Sequence, residues 1–482
     1  MEKAIIGREN EIARLKKYIA SDRSEFIAIY GRRRVGKTYL IKEVLGNRMT
    51  FYHTGLPPVD DESCKTSMKD QLLSFYFSMV KAGLDESRRP KSWIEAFFML
   101  ENLLEDLDDG SRQVVFIDEL PWMDTPKSGF LKAFESFWNG WGSGRHNLML
   151  VVCGSATTWM LNNVVNNHGG LYDRLTHEIH LLPFSLSETA DFLNKKGIEL
   201  CAMDIAEAYM IFGGVPYYLS YFKKGMSIGQ IVDIMLFDRN ARLKNEYNRL
   251  FHSLFINAQD YMAIVRALST KRIGLSRLAI AEVIGRKSGG ALTEMLSALE
   301  NSGFITRHCP IGNRKDDVLY RLSDPFCHFY LTFVEGNTDR HFWQNSRNEG
   351  RTAAWRGLAF EDLCINHIDK IKDALKIGGI LSQETSLSLK GDGTTPGTQM
   401  DLIIIRNDNI VNLCEIKFTT SPFVISKEYH DVLLQRIERL RSLLNDDNKS
   451  IHLTFITSKG IKANMYSGIV QYEITLNDLM KS

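Results

Sequence analysis

The 482-residue sequence has no unbroken apolar stretch of the length a bilayer-spanning helix needs. Its first residues, MEKAIIGREN, lack the pattern of a secretory leader. The seven cysteines (64, 153, 201, 309, 327, 364 and 414) are scattered, with no CxxC pair and no cluster with histidine. That argues against a zinc site and for a reducing compartment, so the expected location is cytoplasmic. Charge of one sign is lacking too. With 59 Lys and Arg against 58 Asp and Glu, any contact with nucleic acid must come from a local patch. What remains is an ordinary globular composition, 44% hydrophobic and 24% charged, in a chain too long for one core.

The first positive signal is FIAIYGRRRVGKTYLIKEVL. A β-prone run, Phe26 to Tyr30, leads into Gly31-Arg32-Arg33-Arg34-Val35-Gly36-Lys37-Thr38 and then a helical pattern. This is the strand, loop and helix context of a Walker A motif. Glycines let backbone N–H groups wrap phosphates, and the helix N-terminus turns its partial positive charge towards them. Lys37 can reach the β- and γ-phosphates and Thr38 can hold Mg²⁺, so ATP or GTP is expected as ligand. Downstream, VVFIDEL delivers Asp118 and Glu119 at the end of a buried-strand run. Asp118 suits the Mg²⁺, and Glu119 suits the polarisation of an attacking water. A third run, LMLVVCGSA, ends in Ser155, placed to face a γ-phosphate from the neighbouring strand. Arg174, in LYDRLTHEIHLLPFS, precedes a further strand. It could reach a nucleotide on an adjacent subunit or make a surface ion pair.

IIGRENEIARL, the two Walker segments, CGSATTWM, RLTHEIHLLPFS and FGGVPYYL together resemble the archaeal-type ATPases of the AAA+ superfamily, relatives of the STAND signalling ATPases and origin-recognition initiators. The resemblance covers roughly the first half of the chain. It implies that Gly7 and Arg8 lie near the adenine, that Pro216 packs on the base or senses its state, and that Arg174 is an arginine finger. The sensor-2 arginine of many ring-forming members is missing between Gly213 and Leu219, which points away from a hexameric motor and towards a slow, switch-like ATPase with possible nucleotide-dependent self-association.

From 185 to 255 the pattern is helical, amphipathic and aromatic, as in a lid. Three helical segments and a hairpin then follow over 256–335, the order of a winged helix. Arg286 and Lys287 open the third helix, and Arg307, Arg314, Lys315 and Arg321 decorate the hairpin. Acidic neighbours Glu294, Glu300, Asp316 and Asp317 dilute that charge, so a DNA contact and a domain-docking surface are both open. The polar stretch 336–350 is the expected linker.

The last segment, 351–482, holds QMDLIIIRNDNIVNLCEIKF, two strand-like runs joined by a turn. Alternation puts Glu415 and Lys417 on one face of the second strand, and a hairpin brings Asp401 to the same end. On the helix before it, Leu358, Glu361, Ile365 and Ile368 form an apolar stripe that Glu361 interrupts. Carboxylates so gathered suit Mg²⁺ or Mn²⁺, and Lys417 suits positioning a water or stabilising charge on a phosphate. The bland alternative is a same-face Glu–Lys ion pair. Glu361, Asp401 and Glu415-x-Lys417 resemble the PD-(D/E)xK nucleases. That resemblance implies a restriction-endonuclease-like fold in which Asp401 and Glu415 bind metal, Lys417 assists the nucleophile, Glu361 completes the site and Gln435 lies near it. The expected architecture is therefore α/β and multidomain: a P-loop ATPase core over 1–184, a helical lid, a winged helix and a nuclease-like α/β domain. ATP and DNA are its expected partners, and the open alternative is a regulatory ATPase with an idle nuclease-like domain.

Overall fold

A computed structural model describes residues 5–58, 66–85, 88–167, 169–311, 318–346, 349–389, 397–446 and 448–481. Arg314, Lys315, Asp316 and Asp317 lie outside these residues. The chain forms two units. The first comprises Met1–Pro183 with Asn248–Gln259, and the second comprises Phe184–Tyr247 with Asp260–Ser482. No helix among the described residues is long and apolar enough to cross a membrane.

The first unit is built on a five-stranded parallel sheet of order β2-β3-β4-β1-β5. Its strands are β1 (Glu25–Tyr30), β2 (Met49–Thr54), β3 (Gln113–Asp118), β4 (Leu148–Gly154) and β5 (His177–His180). Every residue of β1, β3 and β4 is buried. That is why these segments read as continuous apolar runs rather than as alternating ones. Alternation reappears in the packing. Phe26, Ala28, Val115, Ile117, Leu150 and Val152 join one core, and Ile27, Ile29, Val114, Phe116, Met149 and Val151 join the other. Helices α3 (Met68–Ala82), α4 (Trp93–Asp106) and α5 (Phe130–Gly140) supply the first core, and α1 (Glu9–Ile19) and α2 (Lys37–Leu45) supply the second. Parallel strands carry their loops at the carboxyl edge. The inserted β4 sets the ends of β1 and β3 one strand apart.

In the second unit, α6 (Leu186–Lys195) opens with a capping box of Ser185 and Glu188, and α7 (Ala202–Phe212) follows. Further along come α8 (Ala258–Ser269), α9 (Arg277–Val283), α10 (Gly290–Asn301) and an antiparallel hairpin of β6 (Ile305–His308) and β7 (Leu319–Leu322). The rest is α11 (Gly350–Asn366) and a mixed sheet of order β12-β11-β10-β9-β8. Its strands are β8 (Ser382–Leu389), β9 (Thr398–Arg406), β10 (Ile410–Lys417), β11 (Ser450–Thr457) and β12 (Tyr472–Thr475), with α12 (Lys427–Leu444) between β10 and β11.

The stretch expected as a polar linker instead contains a helical turn, Phe342–Ser346, with Trp343 fully buried. The Trp343 indole donates to Glu207 (2.8 Å), Arg356 donates to the same carboxylate (3.1 Å), and Asp233 accepts the Trp343 N–H (2.8 Å). His367 accepts the Leu186 N–H (2.9 Å). These bonds tie 184–247 to 343–367 within the second unit, whereas 248–255 of the expected lid and 256–259 of the expected winged helix fall in the first. The stripe expected on α11 is also displaced. The helix buries Trp355, Ala359, Phe360, Leu363 and Cys364, whereas Leu358 is exposed and Glu361 flanks the buried face.

Candidate functional site

The first site lies at the carboxyl edge of the parallel sheet. Gly31 leaves β1 with φ +146°, where a Cβ would sit 2.2 Å from the Leu181 carbonyl oxygen, so only glycine fits the turn. Gly36 has φ +95° and precedes α2. Between them Arg34 takes a left-handed conformation and Val35 is buried in the core. Arg33 stands over the Trp122 ring, and Arg32 is buried.

Lys37 opens α2 with its ammonium buried. It donates to the carbonyls of Gly31 (2.8 Å) and Arg32 (3.1 Å) and to Ser155 Oγ (3.1 Å). Burial lowers its pKa, and Glu119 and Asp118 oppose that. Ser155, just past β4, passes the link on: its Oγ and N–H donate to the two oxygens of Glu119 (2.6 and 3.0 Å). Thr38 Oγ1 donates to Asp118 Oδ2 (2.9 Å), and the Cys153 thiol and the Glu119 N–H donate to Oδ1 (2.5 and 3.0 Å). Glu119 itself has φ +49°, a conformation that costs a non-glycine residue about 1 kcal/mol or more. Lys37, Thr38, Asp118, Glu119 and Ser155 therefore form one bonded constellation at a helix N-terminus. Cys153 was missed from the sequence, although it shares the β4 face that ends at Ser155.

Gly7 and Arg8 both have positive φ, and the Arg8 guanidinium donates to the Leu182 carbonyl. Arg174 is exposed in a turn before β5. Pro216 begins a short helix, Pro216–Leu219, in the second unit.

Residues 5–222 match the model of a family described as an ATPase domain predominantly from Archaea. Over those residues the chain is similar to an ATPase domain of that type. An uncharacterized protein of Methanocaldococcus jannaschii, MJECL04, is 26% identical over 334 residues, 69% of each chain. The Walker-type ATPase paby2304 of Pyrococcus abyssi is similar at 19% identity and a TM-score of 0.47, over 68% of this chain and 96% of its own. The ORC2 protein of Aeropyrum pernix is similar at 12% identity and a TM-score of 0.42, over 72% and 98%.

Outside the ATPase domain, the structure gathers a second set of charges. Val411, Leu413 and Glu415 follow one face of β10, so the carboxylate ends an apolar file covered by Leu433 and Leu440 of α12. Only 1% of the Glu415 side chain is exposed. One oxygen accepts from Lys417 (2.5 Å) and Tyr429, and the other accepts from Arg436. Burial pushes its pKa up, but Lys417 and Arg436 overcome this and hold it below the usual value. Glu415 raises the Lys417 pKa against burial, so Lys417 is a firm cation rather than a base. Glu361 and Asp401 lie within electrostatic reach of Lys417 and of each other. Burial raises both, Glu361 to about 8. Arg272 donates to Glu361 and to the Leu358 carbonyl (3.0 Å).

Gln435 does not join this cluster: it is exposed, and the next residue, Arg436, faces Glu415. Tyr429 and Arg436 are seven apart on α12, a helical spacing that could have identified them. Among the described residues, no three His, Cys, Asp or Glu side chains are arranged to hold a metal ion. As arranged, Glu415 and Glu361 are bonded to cations, so a metal on Asp401 and Glu415 requires those partners to give way.

Proposed function

We propose that the protein binds and hydrolyses ATP, and that nucleotide state controls a metal-dependent, deoxyribonuclease-like C-terminal domain. The observation that carries the first half is the bonded chain from Lys37 through Ser155 to Glu119. A γ-phosphate that recruits the Lys37 ammonium would loosen Ser155 from it and alter the hold on Glu119. Gly31 and Gly36 suit a close backbone approach to phosphates, with Arg32, Arg33, Arg34 and Val35 carrying the loop between them. Thr38 and Asp118, already 2.9 Å apart, would hold Mg²⁺, which supplies charge neutralisation at the phosphates. Glu119 would orient the attacking water and Ser155 would sense the γ-phosphate. Gly7 and Arg8 are assigned to the base, and exposed Arg174 to a neighbouring subunit's nucleotide.

The second half is supported by the gathering of Glu361, Asp401, Glu415 and Lys417 in one partly buried cluster. The helix–hairpin order of α8, α9, α10, β6 and β7 resembles a winged helix and gives a second reason to expect DNA. Two of the basic residues noted there are spent on neighbours: Arg286 pairs with Asp260 (2.6 Å) and Arg307 with Glu300 (3.1 Å). A regulatory ATPase with an idle nuclease-like domain is the competing reading, favoured by the occupation of both Glu415 oxygens by protein donors. Phosphate release from ATP tests the ATPase directly. Wild type should turn over with Mg²⁺, Lys37→Ala should neither bind nor hydrolyse, and hydrolysis persisting in Lys37→Ala would refute the assignment. Nucleotide-dependent self-association that survives Lys417→Ala, without any cleavage, would favour the regulatory reading.

A further inference from the structure

The helix–hairpin segment contributes to the C-terminal cluster at a place the ATPase and nuclease readings leave unexplained. Arg272 follows α8, His308 ends β6 and Arg321 lies on β7. All three line a cavity of about 30 Å³ whose other wall carries Glu361 and Asp401. Such a space has room for about two water-sized groups.

Its walls hold polar atoms in surplus. Arg272 uses one terminal nitrogen, Nη2, for both Glu361 and the Leu358 carbonyl, while Nη1 is buried with no hydrogen-bond partner among the described residues. A structural Arg–carboxylate pair usually engages both nitrogens of the guanidinium fork. Both ring nitrogens of His308 are also buried without partners among the described residues, and burial holds that imidazole neutral, with its pKa down at about 4. Among the described residues, Arg321 makes one long bond, from Nε to Thr306 Oγ1 (3.4 Å). Buried donors left unmade cost roughly 1–3 kcal/mol each and call for a ligand-side explanation. Two guanidinium groups beside an imidazole match the oxygens of a phosphate in charge and in planar geometry.

We propose that Arg272, Arg321 and His308 form a grip for a backbone phosphate of a nucleic-acid strand, with Arg272 exchanging Glu361 for a phosphate oxygen. This rests on the nucleic-acid reading of the C-terminal cluster and adds the residues that hold the strand. It also gives the strand a way to prepare that cluster. Withdrawing Arg272 removes the cation that favours ionised Glu361 beside Asp401 and leaves that group to a metal or a proton, so the helix–hairpin segment serves as the wall of the site rather than as a separate DNA reader.

The test is binding of a fluorescein-labelled single-stranded oligonucleotide to the full chain by anisotropy, in EDTA and again in Ca²⁺, across a salt series. Arg272→Gln and Arg321→Gln should each weaken binding about tenfold. The double variant should flatten the salt dependence by roughly one to two phosphate contacts. Glu361→Gln, which frees Arg272 without removing a cation, should bind several-fold more tightly. Unchanged affinity and salt slope in the double variant would overturn the proposal. If the arginine variants do not fold, Glu361→Gln decides, and no tightening overturns it. In a Lys37→Ala background, displacement of the oligonucleotide by ATP would assign the grip to free phosphates and overturn the nucleic-acid assignment. Binding is read without cutting, so failure of the nuclease reading leaves a separate signature: arginine-dependent binding with no cleavage under any metal.

Discussion

At the scale of single residues, Ser155 links the N-terminal constellation: it accepts from Lys37 and donates to Glu119. Ser155→Ala should leave nucleotide affinity within a fewfold of wild type and slow hydrolysis by about 10- to 100-fold. Glu119→Gln should slow it by on the order of 10²–10⁴ while ATP stays bound. Filter binding and single-turnover phosphate release separate the two effects, and equal loss of binding would contradict the assigned roles. His53 supplies a pH signature. Its ring is buried beside Ser78 (2.9 Å), and burial lowers its pKa to about 3. The unfolded chain therefore takes up a proton below about pH 6.5 that the folded chain refuses, so stability falls as pH drops from there towards 3. The slope approaches about 1.4 kcal/mol per pH unit. Urea melts at pH 7 and 5 should show a larger loss for wild type than for His53→Gln. The loop residues were legible in the sequence because phosphate chemistry constrains their order. Cys153 was not, since a thiol on a buried strand looks the same whether or not it meets Asp118.

At the scale of elements, the fully buried strands β1, β3 and β4 were legible as apolar runs, and the hairpin of β9 and β10 as two runs around RNDN. Side-chain direction on helices was less so. On α12 the sequence pointed to Gln435, but a helix turns about 100° per residue, which leaves Gln435 in solvent and brings Arg436 to Glu415. Arg436→Ala should destabilise the second unit by about 1–3 kcal/mol, because it leaves one oxygen of a buried carboxylate unmatched. Gln435→Ala should stay within about 0.5 kcal/mol of wild type. Reversed magnitudes in chemical denaturation would contradict the placement. The expected linker failed for a related reason: the polar residues around it hid one anchor. Trp343 is fully buried, and Glu207 and Asp233, far away in sequence, satisfy its polar groups. Trp343→Ala should cost about 3–5 kcal/mol in the second unit, read as a lowered denaturant midpoint.

At the scale of the whole molecule, the Lys37 constellation and the Glu415 charge cluster occupy two separate units of one chain. Composition could not announce this, because a net charge of +1 averages the basic loop and arginine-lined cavity against the carboxylates. The P-loop was readable as a motif. The second cluster was readable only in its acidic half and Lys417, because Arg272, His308 and Arg321 come from a segment about 90 residues before Glu361 or closer and carry no fixed spacing to it. On the function proposed above, the C-terminal cluster acts on DNA under the control of the ATPase domain. The measurement that tests it most directly is cleavage of labelled single- and double-stranded DNA with Mg²⁺ or Mn²⁺, with and without ATP, for wild type beside Lys417→Ala. Wild type should cut in a metal-dependent way that changes with ATP, and Lys417→Ala should not cut. Cutting that persists in Lys417→Ala, or no cutting under any condition from a protein that hydrolyses ATP, would contradict it.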